Sequence, residues 1–240
     1  MVASQVHLVR HGEVFNPDGI LYGRLPGFGL SKLGHRMAQS AADDLGARGR
    51  TIAALRVSPL QRTRESAAPV ARMFGLEPRI DDRIIEPTNH FEGTVMARAL
   101  RNPVNWPFLV NPARPSWGEP YRSIEARMRA AIDDAFDSVD EGDVVLVSHQ
   151  LPIWVTHLSV AGERFWHDPR KRRCALSSIT TFERTTVPAA QPNPEAAAAE
   201  SSSSSIEVPQ NGAPPVRIIE VGYVDPAAAL NATATDVGAV

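Results

Sequence analysis

The chain has 240 residues, 43% hydrophobic and 22% charged, with a formal net charge of −2 and a single cysteine, Cys174. This balance gives no global electrostatic reason to bind nucleic acid. No run approaches the roughly 20 apolar residues of a membrane span, and one cysteine excludes an intramolecular disulfide framework and a cysteine-built metal site. The length allows one or two domains around one sizeable core. The N-terminus lacks a basic region followed by a long apolar run, so no signal peptide is expected, and a cytoplasmic setting fits these absences.

Gln5 to Val9 is mostly apolar and β-branched, and Gly12 punctuates it, so a buried strand is expected to end at Arg10-His11. At the carboxyl edge of an open α/β sheet, a guanidinium fork beside an imidazole suits a phosphate. Phe15 to Gly29 is dense in Gly and Pro and reads as an ordered pocket wall. In it, Asn16 either donates to an oxyanion or closes an Asx-type turn. Ser31 caps a helix whose Leu33, Met37, Ala41 and Leu45 share a face and which ends at Gly46 and Gly49. Leu55 to Ser58 reads as a strand, and Pro59 opens a helix over Leu60 to Phe74. Arg62 falls in its first turn, where the helix dipole disfavours a cation. Either an anion relieves that conflict or Arg62 points into water.

Glu77 to Ile80 and Arg83 to Ile85 suggest a strand and its continuation. Glu86 then follows a strand end, partly desolvated, a setting that raises a carboxyl pKa and suits an acid. Glu92 and His90 are rivals for that role. Val95 to Leu100 reads as helix. Residues 102–121 carry five prolines with Trp106, Phe108 and Trp117, and read as a pocket lid or as aromatics packing down an irregular loop. Ser123 to Val139 is an amphipathic helix. Asp143 to Val147 is a continuous apolar run after its first residue, the mark of a strand buried on both faces, and it ends at Ser148-His149 before a helix over Leu151 to Ala161. Arg10-His11, Arg62, Glu86 and His149 thus all lie at or just past strand termini, which a parallel sheet can bring to one edge.

The run Arg170-Lys171-Arg172-Arg173 reads as a solvated loop or an anion-attracting rim. Ser177 to Glu183 alternates as a strand. The domain organisation expected is a catalytic domain over residues 1–184, a disordered Pro/Ala/Ser-rich insert over 185–215, a returning strand over 216–224 and a frayed tail over 225–240.

These motifs resemble the histidine phosphatase superfamily, the phosphoglycerate-mutase-like proteins. The matching stretches are Leu8-Val9-Arg10-His11-Gly12-Glu13, Ser58-Pro59-Leu60-Gln61-Arg62-Thr63-Arg64, Glu86 before Phe91-Glu92-Gly93, Gly118-Glu119, and Val147-Ser148-His149. Leu21 to Gly27 and Trp166-His167-Asp168-Pro169 are similar to an actinobacterial branch of it. The resemblance implies a three-layer α/β/α sandwich with a mostly parallel central sheet. It implies that His11 is the nucleophile, that Arg10, Arg62 and His149 hold the phosphoryl oxygens, and that Glu86 donates the proton. Asn16 and the Gly23 backbone would also touch the phosphate or substrate. The implied partner is a small phosphorylated metabolite; no metal or cofactor is called for, and the oligomeric state stays open.

Three features depart from the family pattern. Gln150 stands where a glycine often follows the second histidine. Asn16 is displaced from the usual asparagine, and no counterpart of the arginine-rich insert of mutases is present. A phosphatase is therefore favoured over a mutase. A non-catalytic phosphate or phosphoprotein binder is the rival from another class. A cysteine phosphatase is dismissed, because Thr180 occupies the position six after Cys174 where an arginine is needed, and His167-Asp168 lacks further clustered ligands for a metal hydrolase.

Overall fold

The computed structural model describes residues 2–109, 117–186 and 216–235. Its strands are β1 (Gln5–Arg10), β2 (Ile52–Val57), β3 (Arg79–Ile80), β4 (Asp143–Ser148), β5 (Ile179–Thr186) and β6 (Val216–Val224). Its helices are α1 (Lys32–Ala47), α2 (Gln61–Phe74), α3 (Met96–Ala99), α4 (Tyr121–Phe136), α5 (Gln150–Ala161) and α6 (Ala228–Asn231). The strands form one sheet in the order β3-β2-β4-β1-β5-β6. β3, β2, β4 and β1 are mutually parallel, while β5 runs antiparallel to both β1 and β6.

β4 lies near the centre of the sheet because its side chains are apolar on both faces. Val144 and Leu146 join Val6 and Leu8 of β1 against Ile124, Met128, Ile132 and Phe136 of α4 and Ile153 and Val155 of α5. Val145 and Val147 point the other way, with Val9, Leu55 and Val57, against Ala41, Ala42 and Leu45 of α1 and Ala67 and Val70 of α2. The protein is therefore an α/β/α sandwich, with one helix pair on each face of the sheet. The register then fixes where the strands stop. Arg10 pairs with Ser148, and Val57 with Val147, so β1, β2 and β4 end in step. Ser58 N–H donates to Val147 O (3.1 Å) and His11 N–H to Ser148 O (3.1 Å), which extends that alignment one residue past the strands.

Two expectations are corrected. Arg83 to Ile85 does not continue a strand. Asp82–Ile84 is a 3₁₀ turn whose cap, Asp81, accepts from the Arg83 N–H, while Ile84 is buried in the core. β3 is accordingly two residues long. The described part of the tail, residues 225–235, is not frayed: α6 packs there, with Ala227 buried and Leu230 against the cluster of Met37 and Leu176. Most of the expected insert (residues 187–215) and the last residues of the tail (236–240) lie outside the described residues.

At the far end of β4, Asp143 is buried between Arg50, which contacts both of its oxygens, and His7, whose Nε2 is 3.2 Å from Oδ2. Burial raises the Asp143 pKa, but hydrogen bonds from Arg50 and His7 outweigh it and hold the pKa at about 2, against an ordinary 3.8. A carboxylate with a depressed folded-state pKa stabilises the fold fully above its ordinary value and loses that contribution as pH falls towards the folded value. Stability is therefore expected to drop between about pH 4 and pH 2. Asp143→Asn should lower unfolding stability by on the order of 3 kcal/mol at neutral pH and flatten that acid limb in denaturant titrations; an acid limb that persists unchanged would contradict this assignment.

Candidate active site

The aligned strand ends bring the sequence-predicted residues together. Arg10 is the last residue of β1 and His11 the next. Arg62 is the second residue of α2. Glu86 follows the 82–84 turn, and His149 is the N-cap of α5. All five are buried. The His11 and His149 rings meet edge to face with centroids 5.3 Å apart. Arg62 Nη2 lies 3.2 Å from His149 Nδ1, and Glu86 Oε2 lies 3.4 Å from the same nitrogen. Groups so distant in sequence converge because the β1–β4 register sets Arg10 beside Ser148.

Each side chain is held by its surroundings. His11 Nδ1 is 2.8 Å from the Gly12 carbonyl, which fixes the proton on Nδ1 and leaves Nε2 as the basic nitrogen. Nε2 is buried and has no hydrogen-bond partner among the described residues. The loop carrying His11 can follow this path because Gly12 has no side chain: a Cβ there would sit 2.4 Å from the Gly34 carbonyl of α1. Arg10 Nη1 donates to Cys174 O (2.6 Å). Arg62 Nη2 donates to Gly23 O (2.8 Å), and its guanidinium lies 4.8 Å over the Tyr22 ring. Gly23 has φ +39°, and a Cβ on it would strike the Glu92 carboxyl. Ser148 Oγ donates to Ile84 O (2.7 Å) and Arg24 Nε to Glu86 O (2.5 Å), which pins the backbone on both sides of Ile85.

The charges set the protonation states. Burial lowers the His11 pKa well below its usual value; Arg62 and then Arg10 push the same way, and the Gly12 carbonyl opposes them. Burial likewise lowers that of His149, with Arg62 and His11 adding to it. Burial raises the Glu86 pKa against the opposing pull of Arg62 and Arg10. The pocket therefore favours two neutral imidazoles, and a carboxyl that holds its proton above the ordinary carboxylate range, beside two guanidiniums.

The three rival acids separate. Glu86 lies in the cluster. Glu92 accepts from the Arg24 N–H (3.1 Å) and the Asn89 N–H (3.3 Å), and so braces the wall loop. His90 stacks on Phe108. Asn16 bonds the Ile20 backbone in both directions, closing its own loop, and Gly23 presents its carbonyl to Arg62. Phe108 and Trp117 of the lid segment pack with Met96 on Leu21, Phe91 and Ala99, while Trp106 is 56% exposed. Residues 110–116 of that segment lie outside the described residues.

Sequence reasoning passes over two residues. Ser58 Oγ is 2.7 Å from His149 Nε2 and orients the ring. Its position at the end of β2, in step with β4, is the available signal. Arg172, from the basic run, turns inward: it donates to Gln150 Oε1 (3.1 Å) and His167 Nε2 (2.8 Å), and its charge reaches Glu86. Exposed Arg170 instead pairs with Asp168.

Among the described residues, one cluster has metal-ligand spacing: atoms of His11, Glu86 and His149 lie within 4.8 Å of one another. The guanidiniums of Arg10 and Arg62 in the same pocket repel a cation and attract an anion. The amino end of α2, where Leu60 supplies no side-chain cap, adds to that preference.

The model of the histidine phosphatase superfamily (branch 1) matches residues 6–189, and the chain belongs to that superfamily. Among its relatives is the Mycobacterium tuberculosis protein Rv0525, 51% identical over 182 residues, which are 75% of this chain and 89% of the relative. Two solved structures share the fold. Mycobacterial glucosyl-3-phosphoglycerate phosphatase Rv2419c is 23% identical at a TM-score of 0.61, covering 75% of this chain and 89% of that one. Phosphoserine phosphatase from Entamoeba histolytica is 21% identical, also at 0.61, covering 74% and 89%.

Replacing Arg62 removes one of the two central guanidiniums. Arg62→Ala is expected to weaken inorganic phosphate binding, read by calorimetry, by at least about tenfold; unchanged affinity would show that the anion binds elsewhere.

Proposed function

We propose that this protein is a metal-independent phosphomonoesterase that acts on a small phosphorylated metabolite through a phosphohistidine on His11. The observation that carries this reading is the state of His11: a buried, neutral imidazole whose Nδ1 proton is held by Gly12 O, with Nε2 unengaged beside two guanidiniums. A monoester dianion neutralises the charge of Arg10 and Arg62, which take its oxygens together with His149, and its charge stays spread over the equatorial oxygens during transfer.

In the first step His11 Nε2 attacks phosphorus as the bond to the leaving oxygen breaks. The carboxylic proton of Glu86 passes to that oxygen, so an alcohol departs and Glu86 is left as carboxylate. The phosphorylated ring is cationic, and Gly12 O accepts a hydrogen bond from its Nδ1 proton. In the second step water adds to phosphorus, Glu86 takes its proton, the P–N bond breaks and phosphate leaves. His11 and Glu86 return to their starting states. Ser58 keeps His149 oriented through both steps. The phosphatase names of the two structural neighbours agree with this class of chemistry, and the missing mutase-type insert favours release of phosphate to water over return to the substrate.

His11→Ala is expected to abolish turnover and phosphate labelling of the protein; label trapped on another residue would refute the nucleophile assignment. Glu86→Gln should lower kcat/KM, which reports phosphorylation of His11, by about 10²–10⁴ for alkyl phosphates and far less for aryl phosphates, since an aryl leaving group needs little protonation. Equal slowing would point to another acid. The pH dependence has a definite sign. Glu86 must be protonated and its pKa is raised, so turnover of alkyl phosphates should hold above the ordinary carboxyl range and fall as pH rises through the raised value. The lowered His11 pKa keeps the nucleophile neutral on the acid side.

A further inference from the structure

The turn over residues 174–178 holds Arg10 and His11 directly. Cys174 O takes the Arg10 guanidinium (2.6 Å), Ser178 O takes the Arg10 N–H (3.1 Å), and the Ser177 N–H donates to His11 O (3.3 Å). The turn is not relaxed. Ser177 sits at φ 58°, in the left-handed region that side-chain-bearing residues rarely occupy, and its buried Oγ has no partner among the described residues. Such a conformation persists only where the surroundings hold it.

Those surroundings come from a part of the chain beyond the superfamily match. The Ala175 N–H donates to the Tyr223 hydroxyl oxygen (3.2 Å) at the end of β6. Asn231, the last residue of α6, donates from Nδ2 to Leu176 O (3.3 Å), and Asp225 fixes that amide through both carboxylate oxygens (2.9 and 3.1 Å). Leu176 is buried in a cluster with Met37 and Ala227, against which Leu230 packs. Past α6, the Thr235 N–H donates to Glu13 Oε1 (2.7 Å), just after His11 in the chain. The segment thus grips both flanks of the His11 loop, while the superfamily match ends at residue 189.

We propose that residues 223–235 form a positioning clamp for the active site: by holding the 174–178 turn they fix the Arg10 guanidinium and the His11 backbone in reacting geometry. This rests on the roles given above to Arg10 and His11. The residues of the clamp touch neither substrate nor reacting atoms, and they act through the turn. Misplacing reacting groups by about 1 Å can cost about a hundredfold in rate, so loosening the clamp should lower turnover and leave binding of the rest of the substrate largely intact.

The test is the full-length double variant Leu230→Ala/Asn231→Ala, assayed with p-nitrophenyl phosphate well below its unfolding midpoint. Expected are a kcat about tenfold lower per folded molecule, a matching slowing of His11 labelling and a weaker affinity for inorganic phosphate through the loosened Arg10. An unchanged kcat would overturn the clamp. If the double variant does not fold, Tyr223→Phe, which removes only the acceptor for Ala175, is read by the same criterion. The parent protein is assayed first: parent turnover without label on His11 would overturn the phosphohistidine reading, whereas a labelled and active parent with an equally active variant would overturn the clamp alone.

Discussion

Two guanidiniums are buried at one point in the protein, and their charge bears on every titratable group around them. Burying a charge is costly, and burying two like charges together costs more unless something answers them. Arg10 and Arg62 are anchored by backbone carbonyls at Cys174 and Gly23, which satisfy donors without neutralising charge. Their field adds to burial in keeping His11 and His149 uncharged, and pulls against burial at Glu86. The arrangement is suited to receive a tetrahedral anion, which supplies the negative charge that the two guanidiniums lack.

The fold is arranged around that point. Parallel strands that stop in register deliver Arg10, His11, Ser58 and His149 to one edge, and the helices that follow two of them point their amino ends the same way. The turn after β3 supplies Glu86, because Ile84 packs into the core two residues earlier and leaves the carboxyl little freedom. On the opposite side the turn before β5 supplies the carbonyls that steady Arg10 and the Ser177 N–H that holds His11 O, and the C-terminal segment steadies that turn. Separate stretches of chain therefore meet at one pocket, and the stability of the sandwich sustains their alignment.

Much of this is legible in the sequence. The continuous apolar run of β4 and the strand ends at Arg10-His11 and His149 follow from hydrophobic pattern and from the edge rule for parallel sheets. The Arg62 conflict, a cation in a helix's first turn, is visible too. The rest is tertiary. Whether Glu86 or Glu92 enters the pocket depends on Arg24, whose backbone N–H is taken by the Glu92 carboxyl and whose guanidinium holds Glu86 O. Arg172 differs from its neighbours in the basic run only in the direction its side chain takes. The tail reads as frayed because four-residue α6 has no periodicity to show; its order comes from Leu176 and Asn231, a contact between residues distant in sequence.

Nitrogen-15 spectra of the histidine side chains in the resting protein test most directly whether burial, with the guanidiniums beside it, keeps the imidazoles neutral and whether Gly12 O holds His11 in one tautomer. At about pH 6, below the ordinary histidine value of about 6.5, His11 should show an uncharged ring with its proton on Nδ1, and His149 should be uncharged as well. An imidazolium signal for His11 at that pH, or a proton on Nε2, would contradict this picture of the site.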